Sequence, residues 1–324
     1  MTSSYIFKLL CLSLATFSLI YAMVGCAIMG YSRRAFRKAG KMNSRTAANY
    51  LLFLRLLPAG SAALAVIGFC VPSYLLFEPE ATQESVGLIC LTAAAMGAVM
   101  WTTALFDGVW GTARHLRFVR KCGRAGHEQW IPGESRAAWV LEGTGPLLAL
   151  TGFFRSRIVV SEPIVSALTE PEMAMVLRHE QAHRASHDNL KRLLLLWSPG
   201  LPSFTNGFRE LDLAWARFAE WAADDAAAAG DPQRALALAE ALVRVARMGA
   251  AGQPSALVNT LVTEGFSVRV DRLLREPVHQ PIPKWRQPAL MIAACIVPAG
   301  VLISVFLRPA TLSFVHRLLE NLLR

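Results

Sequence analysis

Four stretches of this chain, 9–29, 56–77, 86–106 and 288–307, each run for twenty residues or more without a charged side chain. At 1.5 Å of rise per residue such a stretch crosses the ~30 Å hydrocarbon layer of a bilayer as a helix. Helix is the form required there, because lipid cannot satisfy an open backbone. The expected fold class is therefore an α-helical membrane protein with about four transmembrane helices. Composition agrees: 54% of residues are hydrophobic and only 17% charged.

The charges between these stretches give a direction. Arg33, Arg34, Arg37, Lys38, Lys41 and Arg45 follow the first stretch with no acid among them. Its apolar core is too long for a cleaved signal peptide, and no A-x-A site follows. Arg55 precedes the second stretch, where it can snorkel at the cytoplasmic end, and Pro58 falls in that span's first turns. Glu78, Glu80 and Glu84 separate the second and third spans, and Arg114, Arg117, Arg120, Lys121 and Arg124 follow the third. Basic ends belong inside. The expectation is a multi-pass protein of the cytoplasmic membrane, its N-terminus outside. The net charge of +10 sits beside apolar segments, so it points to lipid headgroups and not to nucleic acid. Five cysteines (Cys11, Cys26, Cys70, Cys90, Cys295) lie in apolar runs and no CxxC occurs, so neither a disulfide framework nor a thiolate metal site is indicated.

Residues 111–287 contain no clean twenty-residue apolar run and form the expected cytoplasmic domain, inserted between three spans (1–110) and a fourth span with a short tail (288–324). Within it, His179-Glu180-Gln181-Ala182-His183 reads H-E-x-x-H. On a helix, positions i and i+4 share a face, so two imidazoles can converge on one metal ion while Glu180 faces a water beside it. Thr169, Pro171 and Glu172 supply a helix start with a capping box, and Met173, Val176, Leu177 and Glu180 continue at helical spacing. His187 is a further turn along. It is either an alternative ligand or a helix-end residue, and the ~6 Å rise per four residues favours the second. His127-Glu128 is a decoy, since Ile131 stands where a second histidine would be needed.

A carboxylate pair follows on the Ala-rich helical stretch 208–229. Glu220 suits a third ligand, and Asp224, one turn on, can accept the outer N–H of a ligand histidine and fix its tautomer. Apolar neighbours argue against a merely solvated acidic face. Residues 139–150 followed by 152–161 read as two short β-runs around a turn. Ile158, Val159 and Val160 are either an edge strand that pairs with an extended substrate or part of a hairpin that covers the core. Stretch 190–204 is too short and proline-broken to span, and is expected to be buried or to dip into the membrane. Asp231 caps a helix over 233–248, 249–254 is a turn, 266–274 is an amphipathic helix, and Pro277, Pro281 and Pro283 stiffen a linker. The tail after Arg308 is amphipathic, for the outside or the membrane surface.

Gly152-Phe153-Phe154-Arg155 with Arg157-Ile158-Val159-Val160, His179-Glu180-Gln181-Ala182-His183, Asp188-Asn189-Leu190 and Glu220-x-x-x-Asp224-Asp225 resemble the BlaR/MecR-type integral-membrane metallopeptidases. The order of three spans, zinc domain and fourth span is similar to that family as well. The resemblance implies an α+β gluzincin-like domain with Zn²⁺ held by His179, His183 and Glu220, Glu180 as the base, Asp224 behind the ligands and Arg269 close to the site. It implies cleavage of the chain itself or of a cytoplasmic transcriptional repressor. It departs from the β-lactam sensors, which carry an extracellular penicillin-binding domain after the fourth span. Here about 16 residues follow Arg308 without an S-x-x-K element, so sensing by acylation is not expected. Two other functions are compatible with the residues: an HtpX-like quality-control peptidase for membrane proteins, and a non-proteolytic zinc-binding signalling scaffold, against which Glu180 argues. Expected partners are a protein substrate and membrane lipid, with a second copy of the chain left open.

Overall fold

The computed structural model describes residues 3–78, 86–131, 134, 136–142, 145–200, 207–248, 265–275 and 309–323. Three of its helical segments are long and apolar enough to cross a membrane. The first is α1 (Ser3–Ala39). The second is α2 (Ser44–Ala65), a π-helical turn (Val66–Cys70) and α3 (Val71–Phe77) run together. The third is α4 (Leu88–Ala125). Each outruns its apolar core. Arg33, Arg34, Arg37 and Lys38 after the first stretch, and Arg114 to Arg124 after the third, do not end the helix but ride on it, because Arg and Lys are good helix formers once a helix is under way. The span expected over 288–307, the turn over 249–254 and the proline linker lie outside the described residues.

Small residues let these helices approach closely. A Cβ added to Gly97 of α4 would stand 2.5 Å from the Leu14 carbonyl of α1. Ala47 and Ala48 of α2 are buried in one cluster with Leu51, Leu54, Phe17 and Tyr21. Pro58 is not in a first turn, because α2 begins at Ser44; it sits inside the helix and is buried. Arg55 does not snorkel. It is 4% exposed and pairs with Asp212 (Nε–Oδ1 3.0 Å).

A four-stranded sheet follows, built from β1 (Gly126–Gln129), β2 (Ala138–Leu141), β3 (Leu148–Thr151) and β4 (Arg157–Ser161) in the order β1-β2-β4-β3. β2 and β4 pair in parallel, and both outer pairings are antiparallel. The edge-strand reading of Ile158, Val159 and Val160 is thereby overturned. They occupy the central strand, all buried, with both backbone edges paired. Three consecutive β-branched residues suit a strand covered on both faces. Alternation is lost there, so the sequence does not reveal which strand is the edge. The described edges are β3, itself buried, and β1, whose last three residues are exposed.

The helical part begins with α5 (Glu162–Ala167) and α6 (Glu170–Ala185). α6 opens on the expected capping box: Glu172 Oε2 accepts from the Thr169 backbone N–H at 2.7 Å. α6 ends where His187 turns left-handed (φ 54°), and α7 (Asp188–Trp197) starts there. α7 packs along α4, with Trp197 against Gly108 and Leu196 against Gly111. α8 (Gly207–Ala228) runs antiparallel to α2, since Arg55 meets Asp212 while Ser44 meets Asp225. α9 (Pro232–Arg247) starts at Asp231, whose side chain accepts from the Gln233 and Arg234 N–H groups. α10 (Phe266–Leu274) covers it. A core of Val140, Leu150, Ile158, Val160, Val176, Leu238 and Leu242 joins sheet, α6 and α9. The tail forms α11 (Pro309–Leu323), with Leu312 and Leu319 buried and the Leu312 carbonyl accepting from Ser73 Oγ at 3.0 Å. It packs against the helical bundle at the ends marked by Tyr5, Tyr74 and Cys90.

Candidate metal centre

His179 and His183 lie one turn apart on α6, and their Nε2 atoms face each other at 3.1 Å. α8 brings Glu220 up to both: Oε2 stands 3.5 Å from His179 Nε2, and Oε1 stands 3.6 Å from His183 Nε2. One ligand atom from each residue falls within 4.8 Å of the others. Nitrogens 2.0–2.1 Å from a tetrahedral zinc stand about 3.3 Å apart, so these spacings suit a metal ion without rearrangement. Satisfaction of polar groups points the same way. The carboxylate oxygens of Glu180 are buried, and among the described residues they find no hydrogen-bond partner of good geometry. Buried carboxylates are ordinarily satisfied, and a cation at this point would do so.

The ligands are held from behind. Asp224, one turn after Glu220, places Oδ1 2.9 Å from His179 Nδ1. Asp188 Oδ2 lies 2.7 Å from His183 Nδ1 and accepts its N–H in the tautomer that leaves Nε2 free. The role of Asp188 was not read from the sequence, although the Asp188-Asn189-Leu190 run stood out there. The signal was local: an acid five residues after His183, just past the helix end, where the left-handed His187 folds it back. Asn189 anchors the same corner by donating to the Leu150 and Gly152 carbonyls at 2.9 and 3.0 Å.

Arg269 of α10 is 2% exposed and enters the site. Its Nε and Nη2 donate to Asp224 at 2.9 and 2.7 Å, and its Nη1 lies 3.2 Å from Glu220. Arg192 of α7, also unremarked in the sequence, stands over the Trp215 ring with Nη2 3.6 Å from Glu220. His187 is exposed and points to no ligand cluster, and Ile158, Val159 and Val160 lie in the core.

The electrostatics concentrate positive charge between the ligands. Burial disfavours a charged His183 ring, but the Glu220 and Asp188 carboxylates outweigh it and push its pKa up to about 10. Burial would also raise Glu220, yet His183 and Arg269 hold it well below the usual carboxylate range. Asp224 falls to about 2, since Arg269 and His179 overcome its burial. Glu180 goes the other way. Burial raises it, and the nearby cations only partly compensate. A field that favours cationic imidazoles favours a dication in the same place.

Two histidines on one helix, a carboxylate from a second and an unsatisfied glutamate beside them define a metallopeptidase-type centre. Comparison with known families gives the same class: residues 141–250, which carry β3, β4 and helices α5 to α9, match the model for Peptidase family M48. The match supports a metallopeptidase domain of that family and does not single out the BlaR/MecR type. No curated protein matches the chain.

Proposed function

We propose that this chain is a membrane-embedded zinc endopeptidase that cleaves a cytoplasmic or juxtamembrane polypeptide. The observation that carries the reading is the buried His179–His183–Glu220 cage with the unpartnered Glu180 carboxylate beside it. Zinc held there would polarise a water molecule and the scissile carbonyl together. Glu180 is placed to take the proton from that water and return it to the leaving amine. Asp224 and Asp188 hold the ring N–H at Nδ1, which turns Nε2 of each histidine toward the ion, and Arg269 fixes Asp224 and Glu220 against α10. A structural zinc site has no use for an uncoordinated carboxylate such as Glu180 beside its ligands, which disfavours the scaffold reading.

The position of the cage supports a substrate close to the membrane. Glu220 lies two turns, about 12 Å, along α8 from Asp212, which is level with Arg55 at the start of the charge-free stretch of α2. Basic residues crowd this end of α1, α2 and α4, which supports a cytoplasmic face for the domain. The resemblance at Asp188-Asn189-Leu190 favours repressor cleavage or self-cleavage in signalling over quality control. Protein N-termini compared between cells expressing the native chain and Glu180→Ala test this. New N-termini only with the native chain are expected, with a DNA-binding repressor or the chain itself among them. Misassembled membrane proteins alone would move the reading to quality control, and no difference would refute the protease.

A further inference from the structure

The first turns of α2 touch the metal centre through both of its supporting carboxylate corners. Ser44 Oγ donates to Asp225 Oδ2 at 2.7 Å, next to the Asp224 that backs His179. Arg272 of α10 closes this corner, with Nη2 2.6 Å from Asp225 Oδ1 and 3.1 Å from Ser44 Oγ. The adjacent residue, Arg45, reaches the other corner: its Nη1 stands 3.7 Å from Oδ1 of Asp188, whose Oδ2 backs His183. Lys191 joins the same corner to α2, 3.2 Å from Asp188 and donating to Asn49 Oδ1 at 3.3 Å.

Consecutive residues of one helix thus grip the two elements whose separation sets the cage. The α6–α7 corner holds His183, and α8 holds Glu220 and backs His179. The buried faces of α2 and α8, with Ala47, Ala48 and Leu51 against Ala214, Trp215, Phe218 and Ala219, form one cluster, so the grip is on a packed joint and not on a loose surface.

We infer that Ser44 and Arg45, at the start of the second apolar helix, are positioning residues of the metal centre: they hold Asp188 and α8 at the spacing that lets His179, His183 and Glu220 share one ion. The inference rests on the zinc reading above. Neither residue touches the ion or a substrate: Arg45 acts through Asp188, which orients His183, and Ser44 acts through Asp225, which follows the Asp224 that backs His179 on α8. Partners of that kind govern metal affinity. An alternative in which these contacts merely stabilise the fold predicts lower stability with an unaltered cage.

The test uses the full chain purified in detergent and stripped of metal. Zinc affinity is read by competition with a chromophoric chelator, and cage geometry by the visible absorption of bound Co²⁺. Arg45→Ala is expected to weaken zinc two- to fivefold, the range of a half-exposed pair. Ser44→Ala combined with Arg45→Ala is expected to reach about tenfold, since a hydrogen bond to a charged group is also lost, and to change the Co²⁺ spectrum. Arg45→Lys should restore affinity to within about twofold. The unfolding midpoint of the metal-free chain serves as the control for folding. A double variant that binds zinc like the native chain, or that loses stability with an unchanged Co²⁺ spectrum, would overturn the inference alone. A native chain that binds no zinc would overturn the endopeptidase reading and this inference with it.

Discussion

Arg55 and Asp212 offer a measurable asymmetry. The Arg55 side chain is 5% exposed and that of Asp212 is 39% exposed, with Nε–Oδ1 at 3.0 Å. Arg55 also meets Ser198 Oγ at 3.3 Å, the Tyr21 hydroxyl and the Phe208 ring, whose centroid is 4.8 Å from its Cζ. Asp212→Ala strands a buried guanidinium. Breaking a buried pair in this way costs about 3–5 kcal/mol, and the water admitted beside Asp212 puts the figure near 3 kcal/mol. Arg55→Met leaves the partly hydrated partner. It forfeits a pair worth about 1 kcal/mol or less and keeps an unbranched stem against Phe208. Combining Arg55→Met with Asp212→Leu removes both charges and should cost about 1 kcal/mol, less than Asp212→Ala alone. Denaturant titrations of the three variants in detergent micelles, followed by tryptophan fluorescence, give the comparison. If Arg55→Met costs as much as Asp212→Ala, the pair is not held by burial of the arginine and the reasoning is wrong.

Three further outcomes are expected. Glu220→Ala should bind zinc at least ten times more weakly, by metal analysis of the purified chain, whereas Glu180→Gln should keep its metal and lose cleavage; unchanged metal in Glu220→Ala would require another ligand. Gly97→Ala should destabilise by about 1–3 kcal/mol, because its Cβ meets the Leu14 carbonyl at 2.5 Å. Gly60→Ala, with nothing within 4 Å, should stabilise by about 0.5–1 kcal/mol, and unfolding midpoints decide between the two signs. Glu172 is buried, which alone would raise its pKa, but the Thr169 N–H and hydroxyl and Arg244 outweigh that and lower it. Its stabilisation is therefore present above the unfolded carboxylate pKa and lost as pH falls through the depressed folded value. Glu172→Gln should flatten the acid side of the stability–pH curve, and an unchanged slope would remove Glu172 from the linkage.

What the sequence revealed divides by the range of the physics involved. Helices α6 and α9 were legible because caps and periodicity are local: Thr169 with Glu172, and Asp231 before Pro232, announce their starts within four residues. The Glu220–Asp224 spacing was legible for the same reason, since one helical turn places both on one side of α8. Which acid backs which histidine was not. That Asp224 meets His179 and Asp188 meets His183 depends on how α8 and the α6–α7 corner cross, which no local pattern encodes. The sheet failed more sharply. Ile158-Val159-Val160 signals a strand, but its place between β2 and β3 comes from a parallel pairing made across the hairpin turn.

The charges that resisted interpretation share one property. Arg55 reads from the sequence as an interface anchor and Arg269 as a loosely held neighbour of the site, while nothing local marks Arg192. In the structure each arginine faces a carboxylate of α8: Arg55 faces Asp212, Arg192 faces Glu220, and Arg269 faces Asp224 and Glu220. α8 is thus approached by cations from α2, α7 and α10 at once. A helix that presents Asp212, Glu220 and Asp224 toward its neighbours cannot be buried against apolar faces alone, because each carboxylate needs a partner before it leaves water. Arg55, Arg192 and Arg269 are therefore partners demanded by the acidic residues of the ligand helix. The same demand ties the membrane helix α2 to the metal centre.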